Sequence, residues 1–508
     1  MKLIVKNFGP IRTANVDVKP MTVFVGPSNT GKSYLAILIY SIIKVLGDDG
    51  DIWENMHYKI RKEMDKGEKS DLAKLQKNQV TLTVKEIEKR FLLWANIFSA
   101  SWKEQFVYCF GEEGRKMMMN ENGKISIVIS GSKNQLILDL SSPDNSKLTD
   151  EKKLKLCTLI NNDLLKIIKD RFDEEEPDER AIFHRHIMQR YYAEILVKHF
   201  STSLLDKEEG ISAHTVPHYL PAIRGGIMQS HRTLVSALIE RAPMAGLSKV
   251  PPIPLFNGVL SDFMQKLINM DVSIADRRFQ RRYGFYRKSL YNHDRKKQRK
   301  KIDEIGKGIE KKIMGGEINV QMSETRYPDF RYAFESDGKK HDLPLMSVSS
   351  MVSELAPVSL FARHHVNCDD LFIVEEPEAH LHPAAQVEIS NILVQLVNAG
   401  VHVLITTHSD NILEQIGNCI LAADIRNAKE NKQAKLSSTE IDGQTLNKEK
   451  ISVYLFNQPR SSKCKNTAVK KIQFDRETGI LTEDHLEVSS ALYNQTISLL
   501  DERDNNDD

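Results

Sequence analysis

Apolar and polar residues follow two different patterns along the first 46 residues. Residues 2–8 and 14–18 alternate as strands do on either side of a Gly-Pro turn, which predicts a hairpin. Residues 21–25 are continuously apolar, as in a buried strand, and the apolar run 34–46 is long enough for a buried helix. The pattern therefore predicts a hairpin, a strand, a loop and a helix in that order.

Two short apolar runs rich in β-branched residues lie in the second half of the chain, at 371–374 and 401–406. Runs of this kind are typical of strands buried on both faces of a parallel sheet. An amphipathic helix is predicted between them at 383–399. Strand-like stretches at 452–457 and 470–475 are expected to end the same sheet.

The region between these two parts has a different composition. Residues 47–215 are rich in Lys and Glu, and we interpret them as a mainly helical insertion with a strand pair near 125–130 and 135–140. The remainder, 216–508, returns to the first domain through a Pro- and Gly-rich passage, followed by helices in 261–314 and paired strands in 317–335. The predicted fold class is α/β, a mixed sheet flanked by helices, assembled from 1–46 and 216–508.

Composition narrows the class of protein. Of 508 residues, 41% are hydrophobic and 28% charged, which favours a soluble globular protein over a disordered one. The 71 basic and 69 acidic residues leave a net charge of +2, so a nucleic-acid surface would have to be local. Five widely spaced cysteines predict no disulfide framework and favour the cytoplasm. We expect no targeting segment and no membrane span, since the longest apolar stretch falls short of about 20 residues.

A glycine-rich loop follows the third predicted strand. Its sequence GPSNTGKS fits the phosphate-loop pattern G-x-x-x-x-G-K-[ST]. The two glycines let successive amide groups turn towards phosphate oxygens, Lys32 can reach the β and γ phosphates, and the Ser33 hydroxyl can bind Mg²⁺. The predicted nucleotide-binding residues of the loop are Gly26, Pro27, Ser28, Asn29, Thr30, Gly31, Lys32 and Ser33.

Two adjacent acids end the apolar run LFIVEE at 371–376. A strand in this position would place them at the carboxyl edge of the sheet, where the nucleotide is expected. We assign Glu375 to Mg²⁺ and Glu376 to the general base that activates water. The alternative is that both are ordinary surface acids at the end of a strand.

Histidines near the same edge have two interpretations. His408 follows the run 401–406 and is predicted to contact the γ-phosphate, although a single histidine can also be structural. His380 and His382 form an H-x-H pair without a further ligand at suitable spacing. Loop packing or a dimer contact therefore suits them better than zinc.

These stretches together resemble the ABC-type ATPase heads of the RecF/SMC/OLD (overcoming-lysogenization-defect) class. The resemblance rests on KLIVKNFGPI, GPSNTGKS, IVEEPEAHLHP and ITTHSD, and it covers somewhat under half of the chain. Within the class, the chain is most similar to stand-alone ATPase subunits of bacterial two-gene anti-phage systems of the Septu and PARIS type. The resemblance implies ATP and Mg²⁺ as cofactors and an ATP site completed by a second copy.

The resemblance also implies two further site segments. The signature segment, 347–354, would face the γ-phosphate of the partner copy, with Ser349 and Ser350 donating hydroxyls. Met351 replaces the family's usual glycine at this point. Arg224, in the stretch YLPAIRGG, matches an arginine near the active site of the family.

The function implied is an Mg-ATP-dependent ATPase that dimerises head-to-tail as sensor or regulator of a separately encoded effector, a nuclease, in anti-phage defence. The nuclease domain of the OLD proteins is not expected here, because no D-x-D pair follows His408. Three alternatives remain open: a DNA-repair ATPase of the SMC/RecF kind, an ATP-gated scaffold with little turnover, and a nuclease in its own right, for which HHVN at 364–367 is a weak indication.

A basic segment at 277–301 is a candidate binding surface for one further partner. It contains 12 Lys and Arg residues and five aromatic residues, with Asp294 its only acid. Such interleaving suits contact with nucleic acid through stacking and charge. A solvated helix face or a docking surface for an acidic partner explains it equally well.

Overall fold

The structure is a computed structural model of the chain. It describes residues 1–47, 82–129, 136–172, 215–230, 257–270, 293–322, 328–430, 444–457 and 467–474, together with parts of 55–62 and 195–200 and a few single residues. Most of the basic segment, 277–292, lies outside the described residues, and so do residues 231–256.

Strands of both halves of the chain form one 11-stranded sheet in the described residues, in the order β6-β5-β4-β1-β2-β14-β13-β3-β12-β11-β7. A separate three-stranded sheet has the order β10-β9-β8. The strands are β1 (Lys2–Phe8), β2 (Ile11–Asp17), β3 (Met21–Val25), β4 (Met119–Ile129), β5 (Leu136–Asp139), β6 (Lys147–Leu148), β7 (Pro217–Leu220), β8 (Gly316–Met322), β9 (Pro328–Ser336), β10 (Lys339–Pro344), β11 (Leu371–Glu375), β12 (His402–Thr407), β13 (Ile451–Asn457) and β14 (Thr467–Ile472).

Helices cover both faces of the large sheet. They are α1 (Lys32–Leu46), α2 (Val84–Met118), α3 (Asp150–Phe172), α4 (Gly258–Ile268), α5 (His293–Ile309), α6 (Ser350–His364), α7 (Pro383–Asn398) and α8 (Asp410–Glu430). One core cluster joins the sheet to α1, α2 and α3, and a second joins it to α5, α6, α7 and α8. Among the described residues, no helix combines the length and apolar character needed to cross a membrane.

Five neighbouring strands run parallel and form the centre of the sheet. β12 lies between β3 and β11, with β13 beyond β3 and β7 beyond β11. Every residue of β3, β11 and β12 is buried, as expected of parallel strands covered on both faces. The register pairs Glu375 with Thr406 and Thr407 with Val25, so the carboxyl ends of three strands meet at one edge.

The predicted fold class is confirmed: the fold is α/β, with a mixed sheet flanked by helices. The predicted hairpin, the buried helix after the loop and the strand pair near 125–140 are all present. The region predicted as an insertion holds α2 and α3, yet its strands continue the large sheet, since β4 pairs antiparallel with β1. β10, which the sequence pattern did not indicate, completes the small sheet beside β9.

A compact polar cluster joins α1 to the insertion and to α4. The carboxylate of Asp262 accepts hydrogen bonds from Tyr40 and Lys44 of α1, both at 2.5 Å, and from Tyr108 of α2 at 3.1 Å. The Lys44 amine also lies 5.1 Å from the centre of the Tyr108 ring. Because the Lys44 and Asp262 side chains are only 13% and 11% exposed, their ion pair is shielded from water.

We expect Asp262→Ala to destabilise the fold strongly, because it leaves a shielded ammonium group without its counter-charge. The expected loss is about 3 kcal/mol in the free energy of unfolding, measured by urea denaturation. Lys307→Ala is the matched control, since it removes an exposed pair with Asp303 and should cost at most about 0.5 kcal/mol. Equal losses in the two variants would contradict a structural role for the cluster.

Candidate active site

The loop between β3 and α1 depends on glycine at two positions. Gly26 has φ 139°, and a Cβ atom there would lie 2.5 Å from the Phe456 carbonyl oxygen of β13. Gly31 has φ 99°, and its Cβ would lie 2.9 Å from the Pro10 ring. Neighbouring strands therefore hold the loop so tightly that only a residue without a side chain fits at either end.

The start of α1 is available to an anion. Gly31 caps the helix without any side-chain hydrogen bond, so its first amide groups have no capping acceptor from the cap residue. Pro27, Ser28 and Asn29 are exposed, and so is Ser33, whereas Thr30 is buried and donates to the Pro27 carbonyl at 2.8 Å. The amide groups of a helix N-terminus and the positive end of the helix dipole are the features that bind phosphate.

The amine of Lys32 is buried within the loop that it follows. Its Nζ donates to the carbonyl oxygens of Gly26 and Pro27, each at 2.7 Å. Burial lowers the pKa of this amine, and three nearby carboxylates partly oppose the shift. They are Glu376, Glu378 and Glu375. The lysine predicted from the loop motif and the acids predicted from the strand motif thus share one site.

Glu375 ends β11 on the side of the sheet that faces α1. Leu371 and Ile373 belong to the α1 core cluster, and alternation along the strand places Glu375 on the same face. Its Oε2 accepts from the Ala222 backbone N–H at 3.1 Å, while its buried Oε1 has no hydrogen-bond partner among the described residues. The charge of this carboxylate, after burial itself, raises the pKa of the adjacent Tyr219 hydroxyl well above its usual value.

Glu376 has a different environment although it is the next residue. Its φ of 42° lies in the left-handed region, which costs a non-glycine residue roughly 1–3 kcal/mol and is a frequent feature of functional sites. Its N–H donates to the Thr406 carbonyl at 2.8 Å. The side chain is 36% exposed and reaches the open edge of the sheet. One acid of the pair is therefore enclosed and the other is accessible to water.

His408 lies at the same edge, immediately after β12. Its side chain is 52% exposed, and its Nδ1 is 3.3 Å from Oε1 of Glu378 and 4.0 Å from Oε1 of Glu376. Sequence reasoning did not assign a role to Glu378. The signal that could have found it is the third acid of the run E-E-P-E, two residues after Glu376.

Arg224 lies beneath the site rather than on its surface. The side chain is fully buried, and it donates to the backbone carbonyls of Glu375 at 2.5 Å, Glu376 at 3.1 Å and Glu354 at 3.0 Å. Its Nε is also 3.3 Å from the Glu354 carboxylate on α6. Burial lowers the pKa of the guanidinium, with Glu354 the main opposing charge. The arginine predicted to bind nucleotide thus contacts protein carbonyls in the structure.

The segment predicted as the signature begins α6. Ser349 is the N-cap, its hydroxyl accepting from the Val352 N–H at 3.5 Å, and Ser350 is the first helical residue. Both serines are exposed, whereas Met351 is half-buried against the second core cluster. The two serines therefore present hydroxyl groups at another helix N-terminus.

The remaining histidine motifs have structural partners. His382 caps α7, its Nδ1 accepting from the Ala384 N–H at 3.4 Å. In the HHVN stretch, Nε2 of His365 is hydrogen-bonded to the Lys266 carbonyl oxygen at 3.0 Å. The backbone N–H of Asn367 donates to the carboxylate of Asp370. Burial lowers the pKa of His365 to about 3, so the imidazole is neutral at physiological pH. Within the described residues, no group of three or more His, Cys, Asp or Glu could hold a metal ion by itself.

A profile of the family described as AAA ATPase domain matches residues 1–413. Curated protein sequences gave no match to the chain. Solved structures of low similarity include an SMC head bound to the C-winged helix domain of ScpA, with 10% identity over 94% of this chain and 98% of that one at a TM-score of 0.35. The SMC head domain from Thermotoga maritima has 11% sequence identity over 93% of this chain and 98% of that one, at a TM-score of 0.31. Similarities at these scores do not bear on function.

We expect Arg224→Ala to unfold the carboxyl edge of the sheet rather than only to weaken a ligand. The change leaves the buried Glu354 carboxylate without its cation and removes the arginine's hydrogen bonds to the three carbonyls named above, which should cost about 3–5 kcal/mol in the free energy of unfolding. Arg224→Lys should recover little of this, because one ammonium cannot replace the planar guanidinium. Wild-type stability combined with weak nucleotide affinity would instead show direct contact with nucleotide.

Proposed function

Since this chain belongs to the AAA ATPase domain family, we propose that it binds ATP with Mg²⁺ at the β3–α1 loop and hydrolyses it. The observation that supports this best is the meeting of three distant segments at one edge of the sheet. The loop 26–33, the acids 375–376 and His408 follow three adjacent parallel strands, β3, β11 and β12, whose register brings their carboxyl ends level. This edge is where open α/β sheets bind their ligands.

The donor set fits Mg²⁺. The buried Oε1 of Glu375 without a partner among the described residues and the exposed hydroxyl of Ser33 are hard oxygen ligands of the kind that Mg²⁺ takes beside phosphates. Glu375 and Ser33 would hold it, and the ion would neutralise charge on the β and γ phosphates. The residues of the chain supply the remaining functions.

The roles of those residues follow from their environments. Amides of the loop and the start of α1 bind the triphosphate, and Lys32 turns from its own loop carbonyls to the phosphate oxygens. Glu376, exposed at the edge, accepts the proton of the attacking water. His408 lies beside Glu376 and donates to the γ-phosphate. The enclosed Glu375 is shielded from bulk water and would hold the metal rather than act as the base.

A second copy of the chain would complete the site. Ser349 and Ser350 are exposed at the start of α6, so their hydroxyls and the helix N-terminus are accessible to a phosphate of the partner copy. ATP held between two heads favours the closed dimer, and hydrolysis releases it, because a ligand stabilises only the state that it contacts. Met351 in place of the usual glycine is the reason that the alternative of an ATP-gated scaffold with little turnover stays open.

For the biological role we propose a sensor or regulator of a separately encoded effector nuclease in anti-phage defence, on the sequence resemblance given above. The competing role is a DNA-repair ATPase of the SMC/RecF kind, which the basic segment 277–301 would favour. Titration of single- and double-stranded DNA with ATP at two salt concentrations separates the two roles. Tight, salt-sensitive binding by the purified chain alone supports the repair role.

We expect Glu376→Gln to retain ATP binding and to lower kcat by about 10²–10⁴, because the amide cannot accept the proton. The ATP-bound dimer should accumulate, as seen by size-exclusion chromatography with light scattering. Lys32→Ala provides the contrast, since it should lose ATP binding itself. Normal turnover by Glu376→Gln would show that another group is the base.

We expect Ser350→Arg to bind ATP normally but to lose turnover and ATP-dependent dimerisation, because the new side chain blocks the facing site. A mixture of Ser350→Arg and Lys32→Ala subunits should recover part of the activity, since one site of the mixed dimer combines an intact loop with an intact serine segment. An inactive mixture, or an active Ser350→Arg protein, would contradict the shared site.

A further inference from the structure

Glu378 is an enclosed acid that the reaction described above leaves without a role. The residue is 5% exposed, and it lies in the turn after β11, where the Leu381 N–H donates to its carbonyl at 3.0 Å. A buried carboxylate is costly unless donors compensate its charge. The identity of those donors therefore indicates what the residue does.

The donors to this carboxylate all come from the end of β12. Oε1 of Glu378 accepts from the Thr407 hydroxyl at 2.7 Å and from the His408 backbone N–H at 2.8 Å, and it lies 3.3 Å from His408 Nδ1. The second oxygen, Oε2, is buried and has no hydrogen-bond partner among the described residues. One carboxylate thus accepts a hydrogen bond from the backbone of His408 and makes an ion-pair contact with its imidazole.

This contact favours one of the two neutral states of the His408 ring. A carboxylate oxygen can only accept, so its charge 3.3 Å from Nδ1 favours an N–H at that nitrogen and leaves Nε2 as the nitrogen farther from Glu378. Glu376 is 4.0 Å from the same nitrogen, which is too far for a hydrogen bond. Because the imidazole contacts Glu378 rather than Glu376, the carboxylate of Glu376 remains available to bind water.

We propose that Glu378 is a positioning residue that holds His408 through Nδ1, so that Nε2 faces the γ-phosphate and Glu376 is left to act as base. The proposal rests on the proposed ATPase function for its kinetic effect. Its geometric content, the state of the His408 ring, does not depend on turnover. Glu378 is also one of the carboxylates whose charge raises the pKa of Lys32 against the effect of burial. The competing explanation is that Glu378 affects only this lysine.

The kinetic experiment is a double-mutant cycle of Glu378→Gln and His408→Ala, with ATPase kcat, KM and ATP affinity measured for each protein. The amide oxygen of glutamine can still accept from Thr407 and from the His408 backbone, so the fold should persist, and the change removes the negative charge beside the imidazole. We expect Glu378→Gln to lower kcat about 10-fold, as loss of a carboxylate behind a functional histidine does. KM and ATP affinity should stay within twofold, and the change should have no further effect in the His408→Ala background.

Glu414→Gln on the exposed face of α8 is the matched control, and it should leave kcat unchanged. If the two changes lowered kcat independently, so that their fold-losses multiplied in the double variant, the proposal would be overturned, because Glu378 would then act independently of His408. A loss of ATP affinity without a change in kcat would also overturn it and would assign Glu378 to Lys32. Unchanged kcat in Glu378→Gln would overturn it equally.

A spectroscopic experiment tests directly which nitrogen of the His408 ring carries the proton. Long-range ¹H–¹⁵N correlation spectra of protein labelled with ¹⁵N-histidine report the tautomer, and His408→Ala identifies the signal. At a pH where the ring is neutral, we expect the Nδ1–H tautomer in the wild type and the Nε2–H tautomer in Glu378→Ala. The same tautomer in both proteins would overturn the proposal. A wild type with the Nδ1–H form but no ATP turnover would leave the positioning intact and remove only the proposed function.

Discussion

The parallel pairing of β12 with β3 on one side and β11 on the other is the constraint from which the site follows. The three strands contribute no catalytic side chain until their last residues, and their apolar positions pack against helices on both faces. A shift of one residue in the β11–β12 register would turn Glu375 away from α1 and separate it from Lys32. Burial of the apolar strands therefore determines the position of the acids as much as their own contacts do.

A buried cation makes the edge rigid where the strand pairing ends. Arg224 bonds to the carbonyls of Glu375 and Glu376 and to Glu354 of α6, so it joins the acidic strand end to the helix that begins with the exposed serines. An isolated charge in such a place would be costly, but each of the three guanidinium nitrogens has at least one carbonyl acceptor in the described structure. The acids of one site and the serines that we assign to the partner's site are thus parts of one hydrogen-bonded unit.

The sequence pattern predicted those elements whose signal is local. Continuous apolar runs identified β3, β11 and β12, and the loop motif identified Lys32 and Ser33. It could not show that β4, 119 residues into the chain, pairs with β1, because strand pairing between distant segments leaves no local signature. The family resemblance of YLPAIRGG, and not the pattern, placed Arg224 near the nucleotide. No role was assigned to the third acid of E-E-P-E, because its donors come from the distant end of β12.

The insertion is not separate from the site in physical terms. Tyr40 and Lys44 on α1 meet Tyr108 of the insertion at the carboxylate of Asp262. The Tyr40 ring also contacts Tyr219 at 5.6 Å between centres, and burial beside Glu375 raises the pKa of the Tyr219 hydroxyl. α1 begins at the phosphate loop and is buried along most of its length. Lys32 at its start and the residues that meet the insertion, Tyr40 and Lys44, therefore belong to one closely packed helix.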